Sequence, residues 1–339
     1  MTMILSILPE DSVLIVGGTG SLGEKLLESL VEQEDLSKIK KIFPFSKERQ
    51  QKSIRVFSRD EKKQYDLRQK FPSIDFRLGD ITDFHSIRSA VRDMNIIIHA
   101  AALKYVDISE KQPSMYIDTN VHGTQNLLSA VLLENHAIRC IGISSDKACN
   151  PFNVYGLTKQ LMEKLFLEVE RVKGSKTKTS FNIVRYGNVV GTRGSVLPFW
   201  QKCRNAGKPL PLTDPEMTRF IFTLKEAVDL IDFALGCPGG TIVSKMMGTA
   251  KLGDLAEIMK TSLAGKMVGV ENIGTRGGEK LHEELFSEEE WSHISLNNEP
   301  YFILDPNYHK QQFLQRWTSD FAPRIAIEDL KETIKEFLV

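Results

Sequence analysis

Between Ser12 and Met246, short apolar runs alternate with amphipathic stretches, the rhythm of strands followed by helices in an α/β protein. SVLIV (12–16) is a β-rich apolar run, and the EKLLESLVEQ that follows has apolar positions at helical spacing. Two segments compete to be the second strand: KKIFPFSKERQ from Lys40 and SIRVFSRDEKKQ from Ser53, alike enough to suggest a short duplication. The second is favoured, because FSRDEKKQYDLRQKF runs on through a charged amphipathic helix to a third strand, IDFRLGD, with loop lengths that suit a βαβ unit. Residues 36–52 are then an insertion. Further on, NIIIHAAA (95–102) predicts a buried strand, SMYIDTNVHGTQNLLSAVLLEN a long helix, IRCIGISS a strand and FNIVRYG another.

Between the first strand and helix lies GGTGSLG, in which Gly17, Gly20 and Gly23 are spaced G-x-x-G-x-x-G. In that setting the glycines let backbone approach a pyrophosphate, and the helix N-terminus attracts the anion. The predicted fold is therefore α/β, a Rossmann-type doubly wound parallel sheet with a smaller C-terminal substrate-binding domain. Residues 1–187, recruiting about 222–250 (LKEAVDLIDFAL and GGTIVSKM), would form the dinucleotide-binding half, and 188–221 with 251–339 the substrate region. The tail from Trp291 has no functional reading.

Neither candidate second strand ends on a carboxylate; each gives serine then a cation, Ser46-Lys47 or Ser58-Arg59, which favours NADP over NAD. Lys63 lies one turn on, and the alternative reading of these cations is a solvated helix face. Asp80 follows the third strand, placed to accept from an adenine amino group, beside Ile81. Small residues such as Ala100 end the NIIIHAAA strand, as expected where backbone passes under a cofactor.

Charge excludes several partners. Lysine plus arginine and aspartate plus glutamate number 44 each, so no basic surplus points to nucleic acid or an anionic membrane, and an anionic ligand must be held locally. The four cysteines lack C-x-x-C spacing and read as free thiols. MTMILSIL is too short for a membrane span and lacks signal-peptide features, so a cytoplasmic protein is expected. No metal site is expected, since His282 in KLHEEL fails H-E-x-x-H with Phe286 in the last position. His99 reads as a packed strand-end residue.

The densest chemistry is SSDKACNPFNVYGLTK (144–159) at the end of a strand, where open α/β sheets place their sites. Tyr155 and Lys159 are one helical turn apart, and such a lysine can lower a tyrosine pKa by charge proximity so that the phenolate takes a proton while hydride leaves. Ser145 stands ten residues before the tyrosine. Asp146 and Lys147 are surplus to alcohol oxidation; they read either as an extra acid and base or as an ion pair at a strand end.

GGTGSLG, FSRDEKKQ, GDITD, HAAALKYV, TNVHGTQN, SSDKACNPFNVYGLTK, RYGNVVGTRGSVLPFW, PLPLTDPEMTRF and RGGEKLHEEL, in that order, resemble the extended short-chain dehydrogenase/reductases of nucleotide-sugar metabolism, and more narrowly the C5-inverting UDP-N-acetylglucosamine 4,6-dehydratases. The likeness spans about residues 12–290, departing at Gly277, where the family usually has proline, and at the apparent duplication. It implies C4 oxidation by Ser145, Tyr155 and Lys159, C5 deprotonation by Lys147, water loss from C6 assisted by a protonated Asp146, and hydride return to C6. The phosphate loop would use Gly17, Thr19, Gly20, Ser21, Leu22 and Gly23. Lys104 would stand near the sugar and nicotinamide. Asn188, Arg219, Arg276 and Glu279 would hold the UDP-sugar, with Thr213 and backbone near Val196 and Leu210. A homo-oligomer is expected. The competing readings are a C4 epimerase on the same sugar nucleotide, which needs no Asp146-Lys147 pair, and a non-catalytic NADP-binding regulator, which would be free to lose Tyr155 or Lys159.

Overall fold

The computed structural model describes residues 11–39, 53–262, 265, 267–296, 300–307 and 317–339. The competing Ser46-Lys47 pair lies outside the described residues. The first helix, Ser21–Ile39, takes up the first four residues of the expected insertion.

Strands β1 (Val13–Val16), β2 (Ile54–Ser58), β3 (Asp75–Leu78), β4 (Ile96–His99), β5 (Arg139–Ser145) and β6 (Ser180–Tyr186) are followed by short β7 (Asn188–Val189), β8 (Leu210–Leu212) and β9 (Thr218–Phe222). Then come β10 (Ile242–Lys245), β11 (Thr249–Lys251), β12 (Val270–Asn272), β13 (Ile294–Leu296) and β14 (Tyr301–Leu304). The main sheet has nine strands in the order β13-β14-β10-β6-β5-β4-β1-β2-β3, parallel from β10 to β3. Strand β1, wholly buried, sits between β2 and β4; an uninterrupted Val-Leu-Ile-Val run suits a strand covered on both faces. At its end the chain must turn at once. Gly17 does so at φ +82°, where a Cβ would lie 2.6 Å from Ala101 backbone, and Gly23 allows the following helix to rest on Gly18, whose carbonyl oxygen would be 2.3 Å from a Cβ.

A second core gathers Leu197, Trp200, Leu212 and Met259 with Leu330 and Phe337, around the three-stranded β11-β9-β7 and two-stranded β12-β8 sheets. The tail divides differently from the expected boundary at 251: β13 and β14 form an antiparallel hairpin that extends the main sheet beside β10, while Leu330 to Leu338 join the second core. The hairpin is anchored by aromatic edges, with Phe302 5.8 Å from each of Phe286, Trp291 and Trp317.

The expected long helix is interrupted. Pro113–Tyr116 is α, Ile117–His122 is a π turn, and Gly123–Glu134 is α again. Within the π turn Asn120 donates to the Leu103 carbonyl and the Thr158 hydroxyl and accepts from Leu103 N–H, tying the loop after β4 to the helix that carries Lys159. Among the described residues no helix is long and apolar enough to cross a membrane.

His99, at the end of β4, is buried and stacked on Phe166. The Thr124 hydroxyl donates to Asn120 O, so His99 Nε2 donates to Thr124 at 2.9 Å and Nδ1 carries no proton. Burial, and then the Lys159 charge, push its pKa down to about 3. The folded value lies below the unfolded one, so this contribution to stability is complete above about pH 6.5 and is lost as pH falls toward about 3. The His99 ring resonances are expected to stay unshifted from about pH 8 to about pH 5 in an NMR titration; movement centred near 6.5 would contradict the buried neutral ring.

Candidate active site

A cleft of about 700 Å³ opens at the C-terminal ends of β1, β2, β4, β5 and β6. The glycine loop forms one end through Gly17, Thr19, Gly20, Ser21, Leu22 and Gly23, with Asp80, Ile81, Ala100 and Lys104 around it. The cradle is shaped for a dinucleotide diphosphate, since side chains at Gly17 or Gly23 would strike backbone. At the end of β2, Ser58 and Arg59 line the cleft with Lys63. The Ser58 hydroxyl accepts from Gln64, Arg59 is 3.7 Å from Asp80, and Lys63 is paired at 2.6 Å with Asp60. Asp60 is an acidic lining residue that sequence reading did not weigh; it caps the Glu61–Lys70 helix by accepting from Lys63 N–H.

Arg193 was also unassigned, although it sits in the quoted GTRGSV segment. It reaches from the substrate side onto the glycine loop, donating to Thr19 O at 2.8 Å, while its N–H donates to Ser21 Oγ.

The candidate reacting groups meet because β5 and β6 pair over seven residues, setting Ser145 beside Tyr186 where both strands end. Asp146–Ala148 turns as a 3₁₀ helix whose Ser145 cap accepts from Lys147 N–H. Ser145 also donates to Asp146 Oδ1 at 2.8 Å. The next helix, Val154–Val172, begins on Asn153, which accepts from Gly156 N–H and donates to Gly278 O, fixing the start of the Tyr155 turn against the RGGEK loop.

Lys147 Nζ lies 3.1 Å from Asp146 Oδ1 and 3.2 Å from Glu283 Oε1. Both carboxylates are almost wholly buried, and each keeps one oxygen, Asp146 Oδ2 and Glu283 Oε2, without a hydrogen-bond partner. Burial opposes charge on Lys147, but Asp146 and then Glu283 outweigh it and hold the pKa above the ordinary lysine value. Arg219, buried beside them, donates to Thr218 O and lies 3.9 Å from Glu283. Glu283 was missed by sequence reading, and no local spacing signals it: it arrives from 136 residues away (283 less 147).

Burial pushes the Tyr155 phenol up to about 12; the Lys147 charge and a hydrogen bond with Ser145 work the other way. The leading cationic effect on the phenol is thus that of Lys147 rather than of Lys159, which lines the same cleft. Lys159 Nζ instead donates to Ile143 O and lies against Met162 Sδ, and burial lowers its pKa to about 8 despite Glu163.

A second cavity adjoins the first through Lys147, Asn188, Val196 and Arg219, and adds Thr213, Arg276 and Glu279. Leu210 is not brought there. Its side chain is in the second core and its N–H donates to Gly269 O, because β8 pairs with β12; the adjacent Pro211 and Leu212 line the cavity, Leu212 from the edge of that core.

Arg185 buttresses the segment that delivers Glu283. It makes two hydrogen bonds to Glu163, two to Glu290 and one to Leu285 O, and Glu163 also accepts from Ser144. This buried network joins β5, β6, the Lys159 helix and the tail.

The sequence profile of the polysaccharide biosynthesis protein family matches residues 13–305. A Campylobacter jejuni protein named UDP-N-acetylglucosamine 4,6-dehydratase (inverting) is 39% identical over 303 residues, 88% of this chain and 84% of the relative. A Rickettsia bellii protein named UDP-glucose 4-epimerase is 35% identical over 346 residues, 96% of this chain and 95% of the relative. The crystal structure of Pen from Bacillus thuringiensis superposes with a TM-score of 0.86 at 32% identity, covering 96% of this chain and 98% of that one.

Arg185→Met leaves Glu163 and Glu290 without their cation, and is expected to cost about 3 kcal/mol in denaturant unfolding; a loss below about 1 kcal/mol would show that the network does not carry the tail.

Proposed function

The chain belongs to the polysaccharide biosynthesis protein family, and from that membership we propose that it dehydrates UDP-N-acetylglucosamine to a UDP-4-keto-6-deoxy-N-acetylhexosamine with inversion at C5. The observation that carries this reading is Lys147, set between two buried carboxylates in the same cleft as Tyr155 and Ser145. An enzyme that only oxidised and reduced C4 would have no use for that group.

The cofactor is read as NADP, which when bound supplies hydride acceptance at C4 and hydride donation at C6, so that the sugar undergoes no net oxidation. Gly17, Thr19, Gly20, Ser21, Leu22 and Gly23 would hold its diphosphate, Asp80 and Ile81 its adenine, and Ser58, Arg59 and Lys63 its 2′-phosphate. Ala100, Lys104, Tyr155 and Lys159 would hold the nicotinamide end. Asp60 does not argue for NAD, since its carboxylate is engaged by Lys63.

Tyr155 would take the C4 hydroxyl proton, with Ser145 orienting that hydroxyl. For Lys147 to act at C5, its ammonium must first lose a proton. Transfer from Nζ to Asp146 Oδ1 across 3.1 Å yields both the free amine and the protonated carboxyl that water loss from C6 requires. Lys147 would afterwards return a proton to C5 from the face that inverts it. Asn188, Arg219, Arg276 and Glu279, with Thr213 and Val196, would hold the UDP-sugar across the second cavity.

The second reading, a 4-epimerase, draws on the rickettsial relatives' name. In heavy water, purified protein with UDP-N-acetylglucosamine is expected to give a product lighter by one water with deuterium at C5, seen by mass spectrometry. A product of unchanged mass with C4 inverted would establish the epimerase instead. Lys147→Ala is expected to abolish water loss while cofactor stays bound; unimpaired turnover would sink its role as base. Arg59→Ala is expected to weaken NADP about tenfold and leave NAD unaffected in a fluorescence titration, the scale of one charge-assisted contact.

A further inference from the structure

We infer that Glu283 is the positioning residue for the C5 proton transfer: its carboxylate holds the ammonium that forms on Lys147, which leaves Asp146 free to serve as the acid. This rests on the reading of Lys147 as the C5 base.

The argument is one of charge at the wall of the cleft, where two carboxylates are almost wholly buried and Lys147 is 19% exposed. Four charged side chains meet there: Asp146 and Glu283, both about 2% exposed or less, and Lys147 and Arg219. When the Lys147 proton has moved to Asp146, Asp146 is neutral, and the remaining carboxylate in contact with Nζ is Glu283 at 3.2 Å. The step then balances without redox change. The C5–H bond breaks and its proton goes to the Nζ lone pair. The electron pair forms the C5–C6 double bond while the C6–O pair leaves with oxygen, which takes the Asp146 proton and departs as water. Lys147 ends as ammonium and Asp146 as carboxylate, and Glu283 keeps its charge throughout. Without it, the amine would take up a proton in a buried site beside a carboxyl that is still neutral, with Arg219 adding a like charge.

Glu283 is also held as a positioning group would be. Its N–H donates to Ser319 Oγ and its carbonyl accepts from Ser319 N–H, both at 2.8 Å, and Arg185 grips the carbonyl two residues on. Oε1 faces Lys147 while Oε2 is buried without a partner. A residue present only to fill space would not leave a carboxylate oxygen so placed.

Glu283→Gln keeps the shape and removes the charge. With UDP-N-acetylglucosamine in heavy water, the variant is expected to lose on the order of 10²-fold in kcat and in deuterium entry at C5, with KM little changed. Lys147 also faces Asp146, Arg219 and Tyr155, which are the same in both proteins. The limb of the pH–rate profile that reports the free amine should therefore move to lower pH, because an opposite charge has gone. Wild-type kcat, or a raised KM with kcat and profile unmoved, overturns the inference and leaves Glu283 a support for Arg219. If Glu283→Gln does not fold, Glu283→Asp serves: C5 exchange slowed more than C4 oxidation supports the inference, and equal slowing or none overturns it. Wild-type protein that neither loses water from the sugar nor exchanges C5 would sink the dehydratase reading itself.

Discussion

Seating an ammonium largely out of water at the wall of the cleft obliges the protein to supply counter-charges, and Lys147 receives two, one from its own turn and one from across the chain. Much of the architecture follows from that second carboxylate. The segment bearing Glu283 is carried to the end of β5, and the hairpin that follows it packs along the main sheet before the last helix joins the smaller core. The β13–β14 hairpin, its aromatic contacts and the Arg185 network all lie on that path. Arg185 faces the same constraint one layer deeper, and meets it with Glu163 and Glu290.

The cleft separates two tasks by chain segment. The glycine loop and the ends of β2 and β4 offer backbone and cations, suited to a dinucleotide, while loops after β6 and the RGGEK turn frame the adjoining cavity. Arg193, from the loop after β7, donates to Thr19 O of the glycine loop. Between them, Tyr155 and Lys147 share electrostatics: the lysine charge partly offsets what burial does to the phenol. The proposed C4 and C5 chemistries are thus coupled through one cation, whose protonation state bears on both.

What could be read along the chain was what is encoded locally. The SVLIV run, the glycines after it and the strand-end SSDK turn each declare themselves within a few residues, as does the preference for Ser53 to Ser58 as β2 over the earlier copy. Glu283 could not be read this way, since nothing in KLHEEL says which of its acids will meet a lysine 136 positions earlier (283 less 147). The π turn at Ile117–His122 was hidden because its residues keep helical apolar spacing; what breaks the helix is Asn120 turning to satisfy the Leu103 backbone. Leu210 itself lies in the second core, and it is the neighbouring Pro211, on the other face of β8, and Leu212 that reach the cavity. Helical spacing put Lys159 near Tyr155, and both line the cleft, where the Lys159 side chain donates to Ile143 O.

Adjacency of Asp146 and Lys147 has its own physical sense. Neighbouring residues on a strand would point to opposite faces. A 3₁₀ turn capped by Ser145 rotates both side chains to one side, so a proton can pass between them over a single hydrogen bond. That geometry alone would make a closed ion pair, with each charge satisfied by the other and neither available for chemistry. Glu283 breaks the symmetry: in the proposed reaction a second anion stays beside Lys147 once Asp146 has taken its proton, so the amine can take up another without being stranded as an unpaired charge. On this view the tail of the chain turns a structural ion pair into an acid and a base.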